Sequence, residues 1–98
     1  MFDKIDEWAN EKGLLSEDPR KQFLKTVEEI GEIAEILCKN PNDKTALREE
    51  IGDALVTLII LASICGLSAD ECLTYAYDKI KNRKGKVVDG IFVKGEDL

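Results

Sequence analysis

Two acidic pairs stand out in a chain that has no histidine: Glu29 and Glu32 within EEIGEIAE, and Glu50 and Asp53 within REEIGDAL. On a helix, residues three apart project from neighbouring positions of one face, so each pair sets two carboxylates side by side. Like charges gathered at one place repel, and a cation is what allows them to stay together. With no His available and no Cys at metal-ligand spacing, an all-oxygen donor set favours magnesium, with manganese as the alternative. One ExxE alone carries little information. Glu-rich helices often present solvated faces balanced by Lys four residues away, as Lys25 and Glu29 are.

The elements around the pairs add weight. A short amphipathic helix is expected over about Phe2–Lys12, with Phe2, Ile5, Trp8 and Ala9 on one side and Gly13 behind it. Ser16 or Asp18 can cap a second helix, with Pro19 in its first turn, running to about Lys39. Asn42 or Asp43 can cap a third, reaching about Cys65. Ser68-Ala-Asp-Glu71 is a capping box, so a fourth helix should run from there to about Arg83. The tail KVVDGIFVK has apolar runs on both sides of Asp89-Gly90, which signals a short β-hairpin or extended tail.

Short connections make an antiparallel four-helix bundle the expected architecture, an all-α single domain over residues 1–98. In an antiparallel second and third helix the two acid pairs are mirrored about Pro41 and lie at one height, roughly 15 Å from the turn. Gly31 and Gly52 each precede the last acid of a pair, inside helices where Gly costs about 1 kcal/mol relative to Ala. Close helix approach or room for a ligand accounts for them. From Ala54 to Ile64 the third helix is apolar around nearly its whole circumference, so it must be buried all round. A four-helix chain of this size rarely encloses one helix so fully, and a homodimer or homotetramer is expected. Trp8 and Phe23 are read as core rather than as a base-stacking platform.

Composition narrows the partners. A net charge of −6 disfavours nucleic acid, whose binders carry broad basic surfaces. Cys38, Cys65 and Cys72 show no CxxC spacing and are expected to be reduced, mostly buried thiols. The acidic N-terminus does not resemble a signal peptide, and the run Ala54–Cys65 is too short to cross a membrane. A cytoplasmic location without membrane contact is the expectation.

The acid pattern resembles that of the MazG-type, all-α nucleoside triphosphate pyrophosphohydrolases, whose signature is ExxE, a spacer and ExxD. Here it reads Glu29-Ile-Gly-Glu32, seventeen residues, then Glu50-Ile-Gly-Asp53. Lys25 and Glu28 before the first pair, the apolar run after the second, and the tail KIKNRKGKVVDGIF are also similar to the short, single-domain members. The resemblance implies hydrolysis of the bond between the α and β phosphates, giving a nucleoside monophosphate and pyrophosphate. It implies magnesium bound by Glu29, Glu32, Glu50 and Asp53, and assembly as dimers or tetramers. A magnesium-activated water would attack the α phosphorus, with Glu28 or Glu29 orienting or deprotonating it. Lys25, Lys79, Lys81, Arg83 and Lys84 are the candidate cations for the phosphates, although cations at a helix C-terminus also favour its dipole regardless of function. Asn82 is a candidate for the base or sugar.

Two other readings remain. A di-iron or di-manganese carboxylate bundle uses Glu-x-x-His, and this chain has no His. A non-catalytic, oligomeric helical module binding a metal or nucleotide would explain the buried third helix, but it does not explain two matched acid pairs.

Overall fold

The computed structural model describes residues 1–98 and contains four α-helices followed by a two-stranded antiparallel hairpin. The helices are α1 (Phe2–Glu11), α2 (Pro19–Lys39), α3 (Lys44–Ile64) and α4 (Ala69–Ile80), and the strands are β1 (Gly85–Val88) and β2 (Ile91–Lys94). Capping explains the helix starts. Asp18 accepts from the Arg20 N–H at 2.8 Å with Pro19 in the first turn, and Asp43 accepts from the Ala46 N–H at 3.0 Å. Ser68 accepts from the Glu71 N–H at 3.3 Å, as its capping box predicts.

The hairpin forms at Asp89-Gly90. Both residues have positive φ, 51° and 78°, which matches the right-handed twist of the flanking strands. Its register pairs Val88 with Ile91 and Gly85 with Lys94. A Cβ at Gly85 would run into the Val93 carbonyl oxygen and the Phe92 ring, so only glycine lets the strands close there. α4 ends at Ile80 rather than near Arg83, because the chain must already be turning to enter β1 at Gly85.

α2 and α3 form the central hairpin, α1 lies along α3, and α4 leaves α3 at 101°. The four helices therefore do not close into a bundle within one chain. The radius of gyration is 16.3 Å, where about 13 Å is usual for a globular chain of this length. Only Ala9, Ala54, Ile59, Ile60, Gln22 and Thr26 are buried. The expectation that α3 is enclosed all round is not met by a single chain: Ile51, Leu55 and Leu58 stay about half exposed. Trp8 and Phe23 are also about half exposed rather than core, and all three cysteines are exposed free thiols rather than buried ones. No single helix is long and apolar enough to cross a membrane.

What sets α2 against α3 is partly polar. Gln22, 5% exposed, donates from Nε2 to the Thr57 carbonyl oxygen at 3.1 Å, and Thr26 packs beside it almost fully buried. That amide fixes the height of α2 on α3. At the other side of α3, the Ser63 hydroxyl donates to Asp6 Oδ1 at 2.5 Å and ties α1 down. Gln22→Ala should lower the unfolding free energy by about 1–2 kcal/mol, from the lost bond and the cavity left behind. Urea denaturation followed by circular dichroism measures it; an unchanged midpoint would show that the bond contributes nothing.

Candidate metal centre

α2 contributes Glu29 and Glu32, and α3 contributes Glu50. One carboxylate oxygen from each lies within 4.8 Å of the other two. The i, i+3 spacing sets Glu29 and Glu32 on one face of α2, and the antiparallel register brings Glu50 up between them. Glu29 and Glu50 are partly buried and Glu32 is exposed at the rim. Glu29 Oε2 and Glu50 Oε2 are inaccessible to solvent and have no hydrogen-bond partner. Buried carboxylate oxygens left in this way are costly unless something positive meets them.

The protonation state reflects that pressure. A protonated Glu50 can donate to Glu32 or Glu29, which favours its neutral carboxyl, and its partial burial together with the two neighbouring negative charges adds to the effect. Its pKa is pushed up to about 7 from an ordinary 4.5. A proton is thus one way to relieve the cluster, and a hard divalent cation is the other. Two orphaned oxygens and an all-carboxylate donor set fit such an ion.

Asp53 does not join this group. It lies one turn further along α3, its side chain is one methylene shorter, and it is exposed. Glu28 and Lys25 are exposed on α2 and also stand outside the three-carboxylate group. Gly31 and Gly52 face open space, since a Cβ at either would meet nothing within 4 Å. Close helix approach is therefore not their reason, and free room beside the acids is what they leave.

A concavity of about 460 Å³ opens beside the cluster, lined by Glu32, Glu50, Glu35, Lys39, Asn40 and Asp43 among others. Its size falls within the roughly 300–1,000 Å³ common for small-molecule sites. Lys39 is a residue that reading the sequence missed. Its Nζ donates to Glu35 Oε1 at 2.7 Å, which holds the Glu35 carboxyl below its ordinary range and the Lys39 ammonium above its own. The Glu35–Lys39 spacing of four, on the face of Glu32, was the available signal.

The expected phosphate cations lie elsewhere. Lys79, Asn82, Arg83 and Lys84 come together with Lys94, Gly95 and Glu96 in a separate concavity of about 650 Å³ lined by no hydrophobic residue. It shares no residue with the acid-lined one. Lys79 is in the last turn of α4 and Arg83 and Lys84 follow its end, where cations also favour the helix dipole.

Residues 18–88 match the MazG nucleotide pyrophosphohydrolase domain, a span that holds both acid pairs and the cationic residues after α4. The chain belongs to that family. It is 36% identical over 63 residues to an uncharacterised 18.2 kDa protein from the rep-hol intergenic region of Haemophilus phage HP1. The match takes in 63% of this chain and 37% of the phage protein. No solved structure matches.

The raised Glu50 pKa has a signed consequence for the metal-free protein. The folded state holds its proton up to about pH 7, whereas the unfolded chain releases it near 4.5. This contribution to stability is therefore fully present below about 4.5 and is lost as the pH rises through about 7. Glu50→Gln mimics the protonated form. In chelator, the variant should melt above the wild type at pH 8, and the gap should shrink toward pH 5. Thermal melts of both proteins test this; a gap independent of pH would remove Glu50 from the cluster's titration.

Proposed function

We propose that this protein is a magnesium-dependent pyrophosphohydrolase that cleaves a ribo- or deoxynucleoside triphosphate to the monophosphate and pyrophosphate. The observation that carries this reading is the meeting of Glu29, Glu32 and Glu50, with two solvent-inaccessible oxygens unpartnered, inside a MazG domain. Manganese would serve the same oxygen ligands.

In this reading Glu29, Glu32 and Glu50 hold the cation, and Asp53 completes the set by a side-chain rotation from its exposed position. When bound, the ion neutralises phosphate charge and lowers the pKa of a water. Glu28 or Glu29 orients the attacking water and accepts its proton, because the chain has no histidine to do so. The water oxygen bonds to the α phosphorus as the bond to the bridging oxygen breaks, and pyrophosphate leaves. Lys25 balances part of the remaining phosphate charge, and Lys79, Arg83 and Lys84 for the phosphates and Asn82 for the sugar or base join it where a second copy brings their separate concavity to the acids.

Self-association belongs to the same proposal. The half-exposed Ile51, Leu55 and Leu58 of α3, with Phe23, Val27 and Ile30 of α2, are the surface that a homodimer or homotetramer would cover. The setting we propose is the cytoplasm, where exposed thiols such as Cys38, Cys65 and Cys72 remain reduced.

Pyrophosphate release, measured across a panel of ribo- and deoxynucleoside triphosphates with and without magnesium, tests the reaction. Turnover should require the ion. Glu50→Gln and Asp53→Asn should each reduce it by more than about a hundredfold while leaving the helical signal intact, since each removes a ligand charge. No turnover of any triphosphate by magnesium-loaded protein would leave only a binding role.

A further inference from the structure

The chain's charge is divided along its length. Residues 1–78 hold seventeen acidic and eight basic side chains, whereas residues 79–98 hold three and six. The basic part is the end of α4 and the hairpin, and it projects from the body on a helix that has already swung through 101°.

The hairpin itself lacks a cover. Its register places Val87 beside Phe92 on one face and Val88 beside Ile91 on the other. Both faces thus carry apolar pairs, yet Val87 is 67% and Ile91 70% exposed. Apart from the pairing of the two strands, β1 packs on the short turn Gly95–Asp97. A two-stranded hairpin alone is only marginally stable in water and needs a third strand or a helix to rest on. No helix of its own chain packs extensively on either strand.

We propose that the C-terminal hairpin is a clasp that docks on the α2–α3 face of a second copy of this chain. The proposal rests on the self-association put forward above and names the element that closes it. Two complementarities select a second copy as the occupant. The hairpin's Lys86 and Lys94 meet a body with an excess of acids, and its exposed Val87 and Ile91 meet the half-exposed Phe23, Val27, Ile51 and Leu55. Charge of opposite sign steers the encounter, and apolar burial holds it. The same contact would account for an expanded single chain with so thin a core.

Analytical ultracentrifugation of the full chain tests the clasp. Wild type should sediment as an oligomer. Val87→Lys/Ile91→Lys and Lys86→Glu/Lys94→Glu should each need at least about tenfold more protein to associate, because two buried apolar side chains or two charge pairs are lost. Their helical circular dichroism should be unchanged, since the hairpin supports no helix. Carbodiimide cross-linking of mixed ¹⁴N and ¹⁵N chains should join hairpin lysines to acids of α2 or α3 in mixed-isotope pairs. An oligomer that both variants leave intact, or cross-links confined to one chain, would overturn the clasp and spare self-association. A monomeric wild type would overturn both. Pelleting of wild type with vesicles of equal phosphatidylcholine and phosphatidylserine, abolished in the variants while association persists, would assign the hairpin to a lipid surface and overturn the proposal.

Discussion

Three carboxylates cannot share a space less than 5 Å across without something positive among them, and the centre of this protein is built around that constraint. Glu29, Glu32 and Glu50 come within 4.8 Å of one another. Two of their oxygens are sealed from solvent without a partner, and Glu50 holds a proton to about neutral pH. The metal-free cluster therefore carries a cost that a proton relieves in part and a hard cation relieves more fully. α2 and α3 exist at the right height to impose this. Their caps at Asp18 and Asp43 set where each helix starts, the Asn40–Asp43 connection keeps them antiparallel, and the buried Gln22 amide on Thr57 holds one against the other.

The rest of the chain is thin by comparison. Six buried residues do not make the core that usually offsets the entropy of ordering a chain of this length. The apolar surface needed for a larger core is present but faces outward on α2, α3 and the hairpin. The two central helices therefore offer other molecules, or other elements of the chain, more apolar surface than they bury.

Much of this was legible in the sequence, because it follows from short-range rules. Asp18, Asp43 and Ser68 are caps whose partners lie two or three residues away, and Asp89-Gly90 is a turn that both residues' φ values require. The acid pairs were visible for the same reason, as i, i+3 neighbours on helices. Burial is not local in this way. The chemistry of Trp8, Phe23 and the three cysteines and the periodicity of the α3 run point to the interior, yet burial depends on what lies opposite. The α4 boundary moved because β1 had to begin at Gly85.

The sequence by itself determined the helices, the hairpin and the two acid pairs, since periodicity, capping and turn chemistry act within a few residues. Only the tertiary structure decided which acids meet. Sequence spacing sets the height of a residue along a helix, but the rotation of α3 against α2 is set by packing. That rotation turns Glu50 toward Glu29 and Glu32 and leaves Asp53 in solvent. The bend between α3 and α4 likewise carried Lys79, Asn82, Arg83 and Lys84 into a concavity apart from the acids. An angle between two helices is a product of long-range contacts, and no local pattern encodes it.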